Sequence, residues 1–245
     1  MVSIEISEER GVRHLHFGSH WVQGAMRIAR PWALELEYTR EMMLPLLLHS
    51  PRAWPASVLQ VGLGAASITR FLHRHRPDTQ VTVVEILPEV VAAARQFFKL
   101  PEESDRLRIE IADGYDYVAR SKRRFDLIVV DGFDEDGRAG MLDTLSFYLN
   151  CRARLAANGM LAANFLRSIG NVAASTARLG KAFEHLLVLP PCEAGNTVAL
   201  GARLASPARS PEELHAAALR LKADTGLDLS STVARLADAT GNLLA

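Results

Sequence analysis

Four short segments carry side chains whose types and spacing could do chemistry together. Val58–Val61 is apolar and runs into Gly62-Leu-Gly64-Ala-Ala-Ser67. Glycines at 62 and 64 let backbone amides approach a ligand that a Cβ would hold off. About 20 residues on, Val83-Val84 ends in Glu85, where a carboxylate can accept hydrogen bonds from ribose hydroxyls. Two more apolar segments end in acids: Leu107–Ala112 leads into Asp113-Gly114, and Phe125–Val130 into Asp131-Gly-Phe-Asp134. Ligands of open α/β sheets sit at the carboxyl ends of the strands. Gly62, Gly64, Glu85, Asp113 and Asp131 are therefore expected around one crevice that takes an adenosine-containing ligand, with Asp113 reaching an exocyclic amine. Taken singly, each aspartate could equally be a turn or helix-cap residue.

Positioning these groups requires alternating strands and helices. Strands are expected at Ser57–Val61, Gln80–Glu85, Leu107–Ala112, Phe125–Asp131 and Met160–Phe165. Helices are expected near Ala66–His75, Pro88–Phe98, Tyr115–Ala119, Met141–Leu155 and Gly170–Ala182. The alternation predicts a parallel sheet covered on both faces. Phe183–Leu189 and Thr197–Ala202 are joined by a connection too short for a crossover helix, so they should pair antiparallel. A Rossmann-like parallel sheet closing with such a hairpin resembles class I S-adenosylmethionine-dependent transferases. Before it, Ile4–Ile6, Val12–Phe17 and Trp21–Ile28 read as strands, with a hairpin turn around Gly18-Ser19-His20. Ala33–His49 has helical spacing and is closed by Pro51 and Pro55. Ser210-Pro-Glu-Glu213 is a helix start, and two small helices should follow, split at Thr225-Gly226. The expected layout is a small β region and linking helix over 1–50, a Rossmann-like domain over 51–205 and a helical extension over 206–245.

Bulk composition narrows the partners. With 28 basic and 28 acidic residues the formal charge is zero, which argues against nucleic acid as partner. Two cysteines, far apart, fit a reducing compartment such as the cytoplasm and leave no metal motif. His14-x-His16 and His73-x-His75 lack accompanying acids or thiols, so no metal is expected. The N-terminal residues are too polar for a secretion signal, and the apolar runs are too short for a membrane span.

The chain resembles the spermidine synthase (polyamine aminopropyltransferase) family. The likeness lies in Val83-Val-Glu-Ile-Leu-Pro-Glu-Val-Val91, Ala112-Asp-Gly114, Phe125-Asp-Leu-Ile-Val-Val-Asp-Gly-Phe-Asp134 and Phe147-Tyr148, with Glu37–Met42 and the N-terminal strands around Val22-Gln23 in support. It implies a homodimer that transfers an aminopropyl group from decarboxylated S-adenosylmethionine to a small amine such as putrescine. It also implies roles. Gly62, Gly64, Glu85, Asp113 and Gly114 would hold the nucleoside. Asp131 would be the base, and Asp134, Gln23, Arg40 and Tyr148 would meet the amine. Three departures stand out. Ala65 replaces an aspartate of the glycine loop, Leu87 replaces the aspartate after Glu85, and Thr39-Arg40 replace a Tyr-Gln pair. If Ala65 and Arg40 both face the pocket, it is more positive by about two charges, favouring tolerance of intact S-adenosylmethionine and poor use of putrescine. The same fold would also suit a methyltransferase, or a silent homologue that binds a nucleoside.

Overall fold

A computed structural model describes residues 3–18, 22–49, 54–168, 170–204 and 209–239. The turn expected at Ser19-His20, the strand start at Trp21 and the helix stop at Pro51 lie outside them.

Two sheets form. The small one pairs β1 (Ile4–Glu9), β2 (Val12–Phe17) and β3 (Gly24–Arg27) antiparallel in that order. Its tight turn is Arg10-Gly11, with φ 49° and 74°, the left-handed pair that matches hairpin twist. The large sheet contains β4 (Ser57–Val61), β5 (Gln80–Glu85), β6 (Leu107–Ile111), β7 (Phe125–Val130), β8 (Leu155–Leu166), β9 (His185–Val188) and β10 (Asn196–Ala202). Their spatial order is β6-β5-β4-β7-β8-β10-β9. The first five are parallel, and β10 runs antiparallel to both β8 and β9. The strand order reverses beside β4, so the crevice between the ends of β4 and β7 is the switch point at which such sheets bind ligands.

Alternate strand residues feed two cores, one on each face. Val58, Leu127 and Val129 join Phe71, Met42 and Val90 on one side. Leu59, Ile128 and Val130 join Val118, Phe147 and Phe183 on the other. α3 (Ser67–His75) and α4 (Pro88–Phe97) cover the first face; α5 (Gly114–Arg120), α6 (Leu145–Arg154) and α7 (Val172–Ala182) cover the second. The C-terminal α8 (Pro211–Thr225) and α9 (Ser230–Ala239) bury Leu214, Ala218, Leu221 and Val233 in the first core. Ser210 and Glu213 form a reciprocal capping box at the start of α8, and Gly226 ends it with φ 78°.

Two expected helices are broken. Ala33–His49 becomes α1 (Glu37–Glu41) and α2 (Pro45–Leu48), because Pro45 has no N–H for an interior helical bond and instead opens a new first turn. Met141–Leu155 becomes a 3-10 turn, Gly140–Asp143, followed by α6. There the Thr144 hydroxyl accepts the Phe147 N–H and fixes the helix start.

Candidate functional site

The carboxyl ends of β4, β5, β6 and β7 open into one cavity of about 600 Å³, lined by Gly62, Gly64, Glu85, Asp113, Gly114 and Asp131 among others. Roof and far wall come from β2–β3 (Gln23), α1 (Glu37, Tyr38) and the 3-10 turn (Leu142).

The glycines are required by contact as well as by φ. A Cβ on Gly62 (φ 89°) would lie 2.1 Å from the Asp131 carbonyl oxygen, and one on Gly114 would lie 2.4 Å from Val61 Cγ1. Gly64 adopts φ 50° beneath the Gln23 carbonyl, and Ala66 adopts φ 55° as the residue before α3. Behind the loop, the buried Arg70 guanidinium donates to the Ala65 carbonyl and to those of Pro31 (2.6 Å) and Phe98 (2.7 Å). Loss of solvent on burial lowers its pKa to about 9. Three segments converge on one cation and hold the loop in place.

Glu85 is buried and accepts one backbone N–H on each oxygen, from Leu63 and Leu87, both at 2.9 Å. Each oxygen retains a lone pair for a hydroxyl. Desolvation raises its pKa, opposed by those amides. Asp113 does two things: it caps α5 through Oδ1, which accepts the Asp116 N–H at 3.0 Å, and it faces the cavity.

Asp131 is the hub. Tyr38 Oη donates to Oδ2 at 3.1 Å and Asn164 Nδ2 donates to Oδ1 at 2.9 Å. Asn196 Nδ2 in turn donates to Asn164 Oδ1 at 3.0 Å, fixing that amide's orientation. Desolvation raises the Asp131 pKa and the Asn164 and Tyr38 hydrogen bonds pull it back. Burial and the facing Asp131 charge raise the pKa of Tyr38, which keeps it the donor. A carboxylate at a cavity wall, destabilised as an anion by burial, is suited to accepting a proton. Tyr38→Phe removes a bond made to the ionised form. The acid limb of any rate profile that depends on Asp131 ionisation is therefore expected to move to higher pH. An unmoved limb in that variant would detach Asp131 from the profile.

The remaining expected residues divide. Gln23 lines the cavity. Asp134 also lines it, but from an exposed loop, with Oδ1 taken by the N–H groups of Asp136 (3.0 Å) and Arg138 (2.8 Å). Arg40 does not line it. Its guanidinium donates to the carbonyls of Leu34 (3.1 Å) and Glu35 (2.7 Å), satisfying backbone groups ahead of α1. The expected extra cation is thus spent elsewhere; of the departures that the resemblance marks, Ala65 and Leu87 line the cavity and Arg40 does not. Tyr148 is also misplaced by the sequence reading. It is 1% exposed in the second core and donates to Asp143 at 2.7 Å, locking α6 to the 3-10 turn.

Sequence reasoning missed Tyr38, Asn164, Asn196 and Glu37. Asn164 was within reach of it, because it stands in the next strand of the series; Tyr38 was hidden in an apparent continuous helix. Six carboxylates (Glu37, Glu85, Asp113, Asp131, Asp134, Glu135) and a single guanidinium (Arg138) are among the described lining residues. Arg138 itself pairs with Asp136 at 2.9 Å. The arrangement favours a cationic ligand beside a nucleoside.

Comparison with known proteins agrees with this chemistry. A family model described as the spermine/spermidine synthase domain matches residues 36–165. A polyamine aminopropyltransferase of Chromobacterium violaceum is 36% identical over 237 residues, covering 96% of this chain and 90% of the relative. The solved structure of human methyltransferase-like protein 13 in complex with SAH is 27% identical, with TM-score 0.69, over 78% of this chain and 93% of that one. A probable spermidine synthase from Corynebacterium glutamicum shares the fold, with TM-score 0.70 at 19% identity over 92% and 91% of the two chains.

Proposed function

The chain belongs to the spermine/spermidine synthase family, and from that premise we propose that it moves an aminopropyl group from decarboxylated S-adenosylmethionine to a small primary amine such as putrescine. The observation that carries the reading is the anionic cavity with Asp131 at its switch point. Glu85 takes the ribose hydroxyls, Asp113 and Gly114 border the base, and the Gly62–Gly64 turn lets the nucleoside lie against backbone. The amine arrives protonated. Asp131 first takes a proton from it, which frees a lone pair. That nitrogen then attacks the donor carbon next to the sulfonium. The new C–N bond forms as the C–S bond breaks, the sulfur leaving as a neutral thioether and the product nitrogen carrying the positive charge. Alignment of the two reactants supplies much of the rate. Asp134 and Gln23 border the amine's path. Family resemblance supports the further reading that the enzyme acts as a cytoplasmic homodimer, which light scattering on the eluting protein checks.

A transfer assay with both sulfonium donors tests the proposal. Aminopropyl transfer from the decarboxylated donor is expected; methyl transfer from the intact donor alone would replace it with the methyltransferase reading. One observation favours keeping that second arm. Ala65 leaves the glycine loop without a carboxylate beside the donor chain, so weaker discrimination against the intact donor is expected. Glu85→Gln is expected to weaken methylthioadenosine binding by about 1.5–3 kcal/mol, the scale of a hydrogen bond to a charged group. Calorimetry checks this, and an unchanged affinity would remove Glu85 from the nucleoside site.

A further inference from the structure

One wall of the cavity carries a carboxylate that the reaction above does not use. Glu37, at the start of α1, lines the cavity with its side chain 26% exposed. Two groups behind it fix its position. The Glu193 N–H donates to Oε2 at 3.2 Å, and Arg235 Nη2 of α9 lies 3.2 Å from Oε1. The same nitrogen donates to Oε1 of Glu41, whose side chain is fully buried and whose Oε2 has no hydrogen-bond partner among the described residues. One guanidinium therefore serves two carboxylates. Burial makes the cation most needed at Glu41, where an unpaired charge would be costly. Glu37, partly solvated, keeps negative charge on the cavity side.

The next residue along α1 is Tyr38, which donates to Asp131. Consecutive residues of one helix thus touch the proton acceptor and present a second anion. We propose that Glu37 binds the ammonium of the acceptor remote from the reacting nitrogen, and that Arg235 is its positioning residue, so that the C-terminal helix sets acceptor selectivity. This rests on the aminopropyl reading. An acceptor with two ammonium groups engages both Asp131 and Glu37; an acceptor with one gains only Asp131.

The test compares 1,4-diaminobutane with butylamine, which has the same chain and a single amine. In Glu37→Gln, the KM for the diamine is expected to rise roughly ten- to a hundredfold, the loss of one charged hydrogen bond. The loss should fall on KM rather than kcat, and both butylamine kinetics and methylthioadenosine affinity should stay at the parent values. A second variant, Arg235→Met with Glu41→Gln, removes the cation without stranding a buried charge. It should raise the diamine KM in the same direction, again sparing butylamine. Equal losses with both amines, an unchanged diamine KM, or a parent without preference for the diamine each overturn the Glu37 assignment while leaving aminopropyl transfer standing. A parent that transfers to no amine overturns the parent reading and this assignment together.

Discussion

Asp131→Asn is expected to lower turnover by about 10²–10⁴, the usual range for loss of a general base. The amide has nearly the same size, so the strand end and its neighbours stay in place, but it cannot accept the amine's proton at neutral pH. Nucleoside affinity should hardly move, because Glu85 and the glycine turn are untouched. The parent should show the corresponding pH dependence. Burial raises the Asp131 pKa, so kcat/KM should fall with acidification at a higher pH than a freely solvated aspartate would give. The fall occurs on the acid side because the ionised form is the active one. Single-turnover rates with both substrates saturating check the variant. Turnover equal to the parent's would reduce Asp131 to a strand-end residue that ties Tyr38 to Asn164.

Gly62→Ala is expected to be the most destabilising small substitution in the nucleoside site. The residue has φ 89° and its new Cβ would sit 2.1 Å from the Asp131 carbonyl oxygen and 2.7 Å from the carbonyl carbon. Neither side can yield easily. Gly62 N–H is bonded to the Val84 carbonyl and Asp131 N–H to the Val61 carbonyl, both at 2.9 Å. Strain at positive φ and overpacking add to about 3–5 kcal/mol, or roughly a 6–20 °C fall in Tm for a chain of this size. Gly226→Ala is the control. Its φ is 78° but none of the described residues comes within 4 Å of a Cβ built there, so only the backbone term of about 1 kcal/mol remains. Equal Tm losses in the two variants would show that the end of β7 relaxes around the new methyl. Where Gly62→Ala does fold, turnover should drop as well, because the atom pushed aside is the backbone of Asp131.

What the sequence discloses is what local pattern dictates. β4 and β5 have the expected bounds, because buried parallel strands read as short apolar runs ended by glycine or acid. The antiparallel pairing of β9 with β10 follows from a connection too short for anything else. The four strand-end groups are likewise a consequence of topology and converge on one cavity. Side-chain direction within helices is another matter. Arg40 and Tyr148 sit at positions that the family resemblance assigns to the pocket, yet one turns to the Leu34 and Glu35 carbonyls and the other to Asp143. Their destinations depend on which backbone groups a neighbouring segment leaves unpaired, information spread over distant residues. Pro45 is of the opposite character: a local signal, visible in the sequence, that prevails over the apolar spacing around it and splits the helix.

The contact between Glu41 and Arg235 joins residues 194 positions apart, and this bears on how the protein is made. At translation speeds of about 5–20 residues per second, roughly 10–40 s separate the synthesis of the two partners. During that interval α1 can dock only with its buried carboxylate lacking the guanidinium, an arrangement that penalises a closed cavity wall. Nascent chain would accordingly hold the acceptor side open until α9 emerges, and ribosome-bound chains stalled before residue 235 should be more readily cleaved by protease around α1 than the released 245-residue chain.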